Sequence, residues 1–285
     1  MFGNFFKTFL LLSLMAGLFL FVGYLIGGEV GLIFAFGLSL LFNFFSYFFS
    51  HKIVLFSYGA KPLSESEAPR LHAILAELSQ SAGIPKPPLY IVDNSSPNAF
   101  ATGRNPKNAV VCVTSGLVDL LNEEEIKGVL GHELAHISNR DILLATIVAS
   151  FASAIMMLAN MARWVAFFGG SSRDRRDGGN PIGLIALLVT AILAPLAAIL
   201  IQAAISRQRE YLADKKGAKF AGTPAGLANA LRKLYAASRK IPLKASPATS
   251  HMFIVKPFSG ESLLNLFSTH PPIEKRIEKL MESRG

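Results

Sequence analysis

The sequence predicts a mainly α-helical α+β fold, in which four transmembrane helices carry a domain with a small antiparallel sheet. The first observation is composition, since 51% of the 285 residues are hydrophobic, 16% are charged and 22 are phenylalanine. A core of this size cannot bury so much apolar surface, so a bilayer is expected as a second apolar solvent. The second is a set of four long runs without charge, and the third is a group of short strand-like runs between the second and third of these.

The first two uncharged runs, Thr8–Gly28 and Val30–Ser50, are separated only by Glu29. Each can cross a hydrocarbon core about 30 Å thick. A signal peptide is the competing interpretation of the first run. It is disfavoured because a single lysine precedes the run, no small-residue cleavage site follows, and a second span begins at once. The pattern therefore predicts a hairpin that turns at Gly27–Gly31 and leaves the membrane at His51–Lys52.

The third and fourth runs are Ile142–Ala162 and Pro181–Ser206, joined by the Gly-, Ser- and Arg-rich linker Gly169–Asn180. The arginines of this linker fit the positive-inside rule poorly if the linker is translocated. The larger basic excess lies elsewhere: Ser206–Gly285 has 15 Lys or Arg against 6 Asp or Glu, which equals the net charge of +9 for the whole chain. This excess predicts a cytoplasmic domain next to anionic lipid rather than a nucleic-acid-binding protein.

The chain is thus divided into four segments. We expect a first transmembrane hairpin at 1–51, the N-terminal part of a cytoplasmic domain at 52–141, a second hairpin at 142–205 and the C-terminal part of the domain at 206–285.

Within the first cytoplasmic part, apolar spacing predicts an amphipathic helix over Ser64–Ala82. Three strand-like runs follow and are expected to pair in an antiparallel sheet: Leu89–Val92, Ala99–Thr102 and Ala109–Thr114. The single cysteine, Cys112, is expected to be a small buried hydrophobic residue, and one cysteine excludes an intramolecular disulfide. Asn122 is expected to begin the next helix, since Glu125 three residues later completes a capping box.

That helix carries the sequence His132-Glu133-Leu134-Ala135-His136. Two histidines one helical turn apart can reach one metal ion, and Glu133 beside them can accept the proton of a water. The competing interpretation is a pair of surface histidines on an amphipathic helix. A third ligand six residues after His136 is excluded because residue 142 is isoleucine.

The stretch Ser206–Asp214 offers the missing ligand. Glu210 and Asp214 lie one turn apart on a predicted helix, so one carboxylate can bind a metal while the other orients a histidine; Glu210 is the better candidate for the ligand. An ordinary pair of surface charges matching Arg207 and Lys215 is the alternative. The predicted second hairpin enters the membrane just after the histidines and comes back out just before Glu210. The helix with the histidines and the helix with Glu210 are therefore expected on the same side of the bilayer.

The His132–His136 motif, the Ser206–Asp214 stretch and Thr269-His270-Pro271-Pro272 followed by Arg276 resemble the HtpX heat-shock membrane proteases. These are relatives of the CAAX prenyl proteases and of small soluble gluzincins. The resemblance runs along essentially the whole chain. It implies a gluzincin-type zinc protease domain and a membrane-anchored zinc endopeptidase.

The resemblance also implies roles for individual residues. One Zn²⁺ per chain would be held by His132, His136 and Glu210, with Glu133 as the general base. Asp214 would hold a ligand histidine, and His270 would help to stabilise the oxyanion. The segment Ser96–Gly103 is similar to the family's edge strand of the cleft, which places the substrate-binding residues at Asn98, Ala99 and Phe100.

The expected partners are protein substrates and the lipid bilayer, with no nucleic acid; the oligomeric state is not assigned. The resemblance implies quality control of misfolded or damaged membrane proteins at a bacterial inner membrane. An intramembrane protease is disfavoured, since three glutamates and Lys127 precede the first histidine on the same helix. A non-catalytic scaffold or channel would not need Glu133 between two properly spaced histidines.

Overall fold

A computed structural model describes residues 2–149, 151, 207–239, 254 and 271–282. The helices of this part are α1 (Phe2–Ser57), α2 (Pro69–Ala82), α3 (Ser115–Leu120), α4 (Glu123–Ser138), α5 (142–149), α6 (Arg207–Ala221), α7 (Ala225–Ser238) and α8 (Ile273–Glu282). The strands are β1 (Lys61–Pro62), β2 (Leu89–Val92), β3 (Ala99–Gly103) and β4 (Ala109–Thr114).

Helix α1 is a hairpin of two apolar helices. Its backbone leaves helical geometry at Gly27 (φ −136°) and Gly28 (φ 57°, ψ −137°), within the turn that the sequence predicts. A positive φ of this kind is easily adopted by glycine alone. The two halves then lie against each other, and the Asn43 Nδ2 donates to the Leu12 carbonyl oxygen across them at 3.3 Å.

The outer face of this hairpin exposes many large apolar side chains, including Phe9, Phe34 and Phe44. Such a surface suits lipid rather than water. Among the described residues one helix, Gly27–Ser57 with 31 residues, is long and apolar enough to cross a membrane, and Phe6–Phe21 is a shorter apolar helix. Nearly all of the predicted second hairpin lies outside the described residues, so the four spans stay a prediction.

The sheet has the strand order β1-β2-β4-β3. Strand β1 is antiparallel to β2 and β3 is antiparallel to β4, but β2 and β4 are parallel. The predicted antiparallel sheet is therefore wrong, and the sheet is mixed. The reason is the connection after β2, which crosses to the far edge to form β3 and then returns as β4 between the two, in the direction of β2.

The two faces of the sheet bury different partners. One packs on α2 and α4 through fully buried residues such as Leu75, Val111 and Leu134. The other packs against the end of α1, where Val54 and Phe100 share a second apolar cluster. The domain that contains the sheet is thereby fixed to the α1 hairpin by apolar contact as well as by chain continuity.

Two predicted helix starts have different outcomes. Helix α2 begins at Pro69 rather than at Ser64, because the Ser64 hydroxyl and backbone N–H both bond the Glu67 carboxylate in a turn before the helix. Helix α4 begins as predicted. The Asn122 side-chain oxygen accepts a hydrogen bond from the Glu125 backbone N–H, and the Glu125 carboxylate accepts one from the Asn122 backbone N–H, both at 2.9 Å.

Candidate metal centre

Helix α4 presents two imidazoles to one point. The Nε2 atoms of His132 and His136 are 3.2 Å apart, and the two rings are nearly perpendicular. His132 is buried and His136 is partly exposed. Because the residues are one turn apart on a helix whose start is fixed by its capping box, this convergence follows directly from the sequence.

Helix α6 brings Glu210 to the same point. Its Oε1 lies 3.6 Å from Nε2 of His136 and its Oε2 lies 3.8 Å from Nε2 of His132. One donor atom from each of the three residues lies within 4.8 Å of the other two.

These distances can be compared with those that a metal requires. Nitrogen and oxygen ligands at the usual zinc distance of about 2.0–2.1 Å, in tetrahedral geometry, lie about 3.3 Å from one another. The two Nε2 atoms are 3.2 Å apart, and the nearest Glu210 oxygen to each of them, a different one in each case, lies at 3.6 or 3.8 Å, which is of this order. Two imidazoles and one carboxylate with room for a fourth ligand are also the donor set of catalytic zinc sites. The residues present therefore fit a zinc ion.

Close contact between the backbones of α4 and α6 makes this convergence possible. A Cβ on Gly217 would lie 2.6 Å from the backbone nitrogen of His132, and one on Gly131 would lie 2.7 Å from the carbonyl oxygen of Gly217. Only glycine allows two helices to approach this closely. The sequence-based reasoning missed this contact, although a glycine directly before the first histidine of the motif was visible.

Each of the two histidines has its own carboxylate at Nδ1. Asp214 Oδ1 lies 2.9 Å from Nδ1 of His132, and Asp141 Oδ2 lies 3.3 Å from Nδ1 of His136. The first distance is that of a hydrogen bond. Burial lowers the pKa of His132 to about 4, so the ring is neutral at pH 7 and the contact is not an ion pair. A proton held at Nδ1 leaves the Nε2 lone pair for a metal. Asp141 was not considered in the sequence analysis.

Arg276 of α8 completes the set from the other end of the chain. Its side chain is fully buried and donates to both oxygens of Asp214, from Nε at 2.9 Å and from Nη2 at 2.7 Å. Its Nη1 donates to the Ile254 carbonyl oxygen at 2.8 Å. Burial alone would raise the pKa of Asp214, but the charge and hydrogen bonds of Arg276 hold it at about 2. The sequence showed Arg276 only as part of a motif and did not indicate this contact.

Glu133 lies beside the donor set and is buried. Burial raises the pKa of Glu133 to about 7, with a contribution from the charge of Glu210 and opposition from His136. The backbone N–H of Ala101 in the edge strand opposes this rise in the pKa of Glu133 by favouring the ionised carboxylate. A carboxyl group with a pKa near neutrality can both accept and release a proton at physiological pH.

The remaining predicted residues fall in or near the edge strand. Ala99 and Phe100 belong to β3, which forms one edge of the sheet, and Asn98 directly precedes it. The Phe100 side chain points to the cluster against α1, and the Asn98 Oδ1 accepts from the Ile254 N–H at 3.1 Å. Both residues are buried, as are all five residues of β3. His270 lies outside the described residues.

The chain is similar to a family of known peptidases. Residues 65–284 match Peptidase family M48. A "Protease HtpX homolog" of Syntrophobacter fumaroxidans is 55% identical over 281 residues, which cover 98% of this chain and 99% of that protein. A protein of the same description from Pyrococcus furiosus is 56% identical over 275 residues, covering 96% of this chain and 94% of that one.

One solved structure is also similar. The crystal structure of S. mikatae Ste24p is 18% identical with a TM-score of 0.48 over 98% of this chain, which spans 65% of the length of that protein.

Proposed function

Because this chain belongs to peptidase family M48 and is a membrane metalloprotease, we propose that it is a zinc-dependent endopeptidase whose site lies on the cytoplasmic side of the membrane. The observation that carries the proposal is the convergence of two imidazoles and a distant carboxylate at zinc-ligand spacing, with a buried glutamate beside them. The ligands are His132, His136 and Glu210. One zinc ion per chain would supply Lewis acidity to the scissile carbonyl and to the attacking water.

The protein's own residues perform the proton transfers. Glu133 accepts a proton from the attacking water and later donates it to the leaving amine. Asp214 and Asp141 keep the protons of the ligand histidines at Nδ1, on the far side of each ring from the donor set. His270 is proposed to donate a hydrogen bond to the oxyanion, and loss of one such donor typically costs about 10²–10³ in kcat.

Strand β3 is proposed to bind the substrate backbone. The N–H of Gly103 donates to the Thr146 hydroxyl rather than to β4, so alternate residues of β3 (Ala99, Ala101 and Gly103) direct their backbone groups away from β4. An extended peptide can pair with such an edge through main-chain hydrogen bonds, largely independently of its sequence. This independence suits an enzyme that removes misfolded or damaged membrane proteins, the substrate class we propose.

The membrane arrangement proposed here keeps the four segments 1–51, 52–141, 142–205 and 206–285, with both hairpins spanning the bilayer. Similar proteins occur in Syntrophobacter fumaroxidans and in the archaeon Pyrococcus furiosus. We therefore propose that the protein lies in a cell membrane with its site facing the cytoplasm. In bacteria this is the inner membrane.

The proposal is tested by zinc analysis and casein cleavage of the detergent-purified protein. Glu133→Gln is expected to retain one zinc and lose cleavage, because it keeps the shape of the side chain and removes the base. Glu210→Gln is expected to lose both zinc and cleavage. Normal casein cleavage by Glu133→Gln would contradict the mechanism, and full zinc content in Glu210→Gln would contradict the ligand assignment. His270→Ala is expected to keep its zinc and lose activity; unchanged turnover would reject its role.

The side of the membrane can be tested with a cysteine introduced at Lys275, which is exposed on α8. Labelling by a membrane-impermeant maleimide is expected in inverted vesicles and not in intact cells. The opposite result would place the site outside.

A further inference from the structure

The membrane-side end of α1 and the end of β3 meet at a cluster of cations and aromatic rings. The Arg104 guanidinium carbon lies 4.7 Å from the centre of the Phe48 ring, and Nζ of Lys52 lies 5.4 Å from that of Phe49. Lys52 and Arg104 are both electrostatic neighbours of His51. We call these five residues the basic rim.

The length of the helix places the basic rim at the surface of the bilayer. The second half of α1 begins after the turn at Gly28. At about 1.5 Å per residue, a hydrocarbon core of about 30 Å is crossed in about 20 residues, which ends near Phe48. Phe48 and Phe49 then lie at the interface, where aromatic residues are enriched in membrane proteins, and Lys52 reaches the headgroups. Arg104 lies at the same depth, because its guanidinium stacks on Phe48.

The cations of the basic rim lack an acidic counterpart in the described part of the chain. Neither Lys52 nor Arg104 is within ion-pair distance of a carboxylate there, whereas Lys86, Lys127 and Lys233 each pair with a glutamate. An aromatic ring attracts a cation but does not neutralise it. The anion available at this depth is a lipid phosphate. We propose that the basic rim binds the headgroup of an anionic phospholipid.

Such a lipid would contact the strand that is proposed to bind substrate. Arg104 directly follows β3, and the same end of the strand is held by Thr146 of α5. The Thr146 hydroxyl accepts from the Gly103 N–H at 3.2 Å and lies 3.1 Å from the Thr102 hydroxyl. On the other side, the ring of Tyr58, just after α1, packs on Phe100 at 5.2 Å. A headgroup on Arg104 therefore adds a third attachment to the membrane-side end of β3.

Lipid binding is measured on the full-length, delipidated protein by native mass spectrometry, with phosphatidylglycerol and phosphatidylcholine titrated separately. Lys52→Gln and Arg104→Gln are each expected to weaken phosphatidylglycerol binding about fivefold, and the double variant about 25-fold, with little effect on phosphatidylcholine. Lys275→Gln removes the same charge from an exposed site on α8 and is the matched control. Equal phosphatidylglycerol affinity in all variants would overturn the proposal. So would binding of inorganic phosphate as tight as that of the lipid, since the site would then bind a soluble anion.

The effect on the strand is measured in nanodiscs, and this part alone rests on the proposed function. Omitting phosphatidylglycerol is expected to raise KM for a peptide substrate in wild type and in Lys275→Gln, with no change in zinc content. The Lys52/Arg104 double variant is expected to have the raised KM in both lipids. If the double variant loses lipid binding but keeps the wild-type KM, the headgroup does not position β3. Since lipid binding can be measured in the inactive Glu133→Gln variant, failure of the catalytic mechanism would be recognised separately.

Discussion

A methyl group at Gly217 is expected to separate the two helices that carry the proposed metal ligands. The Cβ of Gly217→Ala would lie 2.6 Å from the backbone nitrogen of His132, 2.7 Å from its Cα and 2.8 Å from the carbonyl carbon of Gly131. Ordinary contacts of a Cβ atom begin at 3.4 Å. All three neighbours are backbone atoms of α4 and cannot rotate away, so α6 must move by about 0.8 Å, since overpacked sites relieve strain by backbone shifts.

The proposed ligand Glu210 lies two turns before Gly217 on α6 and moves with the helix. Metal–ligand distances tolerate about 0.2 Å, so a shift of this size is expected to weaken zinc binding at least tenfold. Overpacking of this kind typically also destabilises the fold by about 1–3 kcal/mol. Gly131→Ala, whose Cβ meets the carbonyl oxygen of Gly217 at 2.7 Å, is expected to show the same effects to a smaller degree.

Zinc affinity is measured by competition with a chromophoric chelator, and stability by thermal unfolding in detergent. Gly37→Ala is the control, because a Cβ at that position meets no atom within 4 Å. If Gly217→Ala binds zinc within twofold of wild type at an unchanged Tm, the close contact of α4 and α6 does not control the site.

Three further predictions concern buried polar groups. Asp141→Asn is expected to lower zinc affinity about 10- to 100-fold by releasing Nδ1 of His136, measured by chelator competition; unchanged affinity would reject that role. Arg276→Leu is expected to destabilise the fold by about 3–5 kcal/mol, because it leaves Asp214 charged and buried without its partner. The double variant Arg276→Leu/Asp214→Leu is expected to recover much of this stability but still to bind zinc weakly. Equal unfolding temperatures of the single and double variants would contradict this. Burial raises the pKa of the Cys112 thiol to about 12, so mass spectrometry is expected to find it unmodified by iodoacetamide at pH 8 until the protein is unfolded. Rapid alkylation of the folded protein would contradict it.

The features that the sequence predicted correctly depend on short stretches of chain. The spacing of His132 and His136 on a helix and the capping box at Asn122 each require only neighbouring residues and helical geometry. The three strand runs are of the same kind, and their bounds agree with the structure to within one residue. Family membership also followed from local motifs.

The errors and omissions concern pairing between distant segments. Strand residues such as Leu89 and Val111 form a parallel pair, but their side chains alternate in the same way in an antiparallel one. The depth of Arg276 could not be expected either, since arginine is rarely fully buried without a partner and its partner lies 62 residues away. Asp141 was overlooked for another reason. It ends the helical turn after the motif, where an acidic residue is usually solvated.

The contact between α4 and α6 is intermediate between the local features that were predicted and the long-range pairings that were missed. It joins distant segments, but the glycines that allow it can be seen in the sequence. A glycine inside a helix costs about 1 kcal/mol relative to alanine, so a helix that carries one next to a ligand needs a compensating gain. Gly131 directly precedes His132, and Gly217 lies two turns after Glu210. A glycine on each of two ligand-bearing helices, at positions where each helix would otherwise favour alanine, predicts that the two backbones touch there. The convergence of the proposed ligands then follows from helix packing, and the second hairpin that the sequence predicts between them only has to return the chain to the same side.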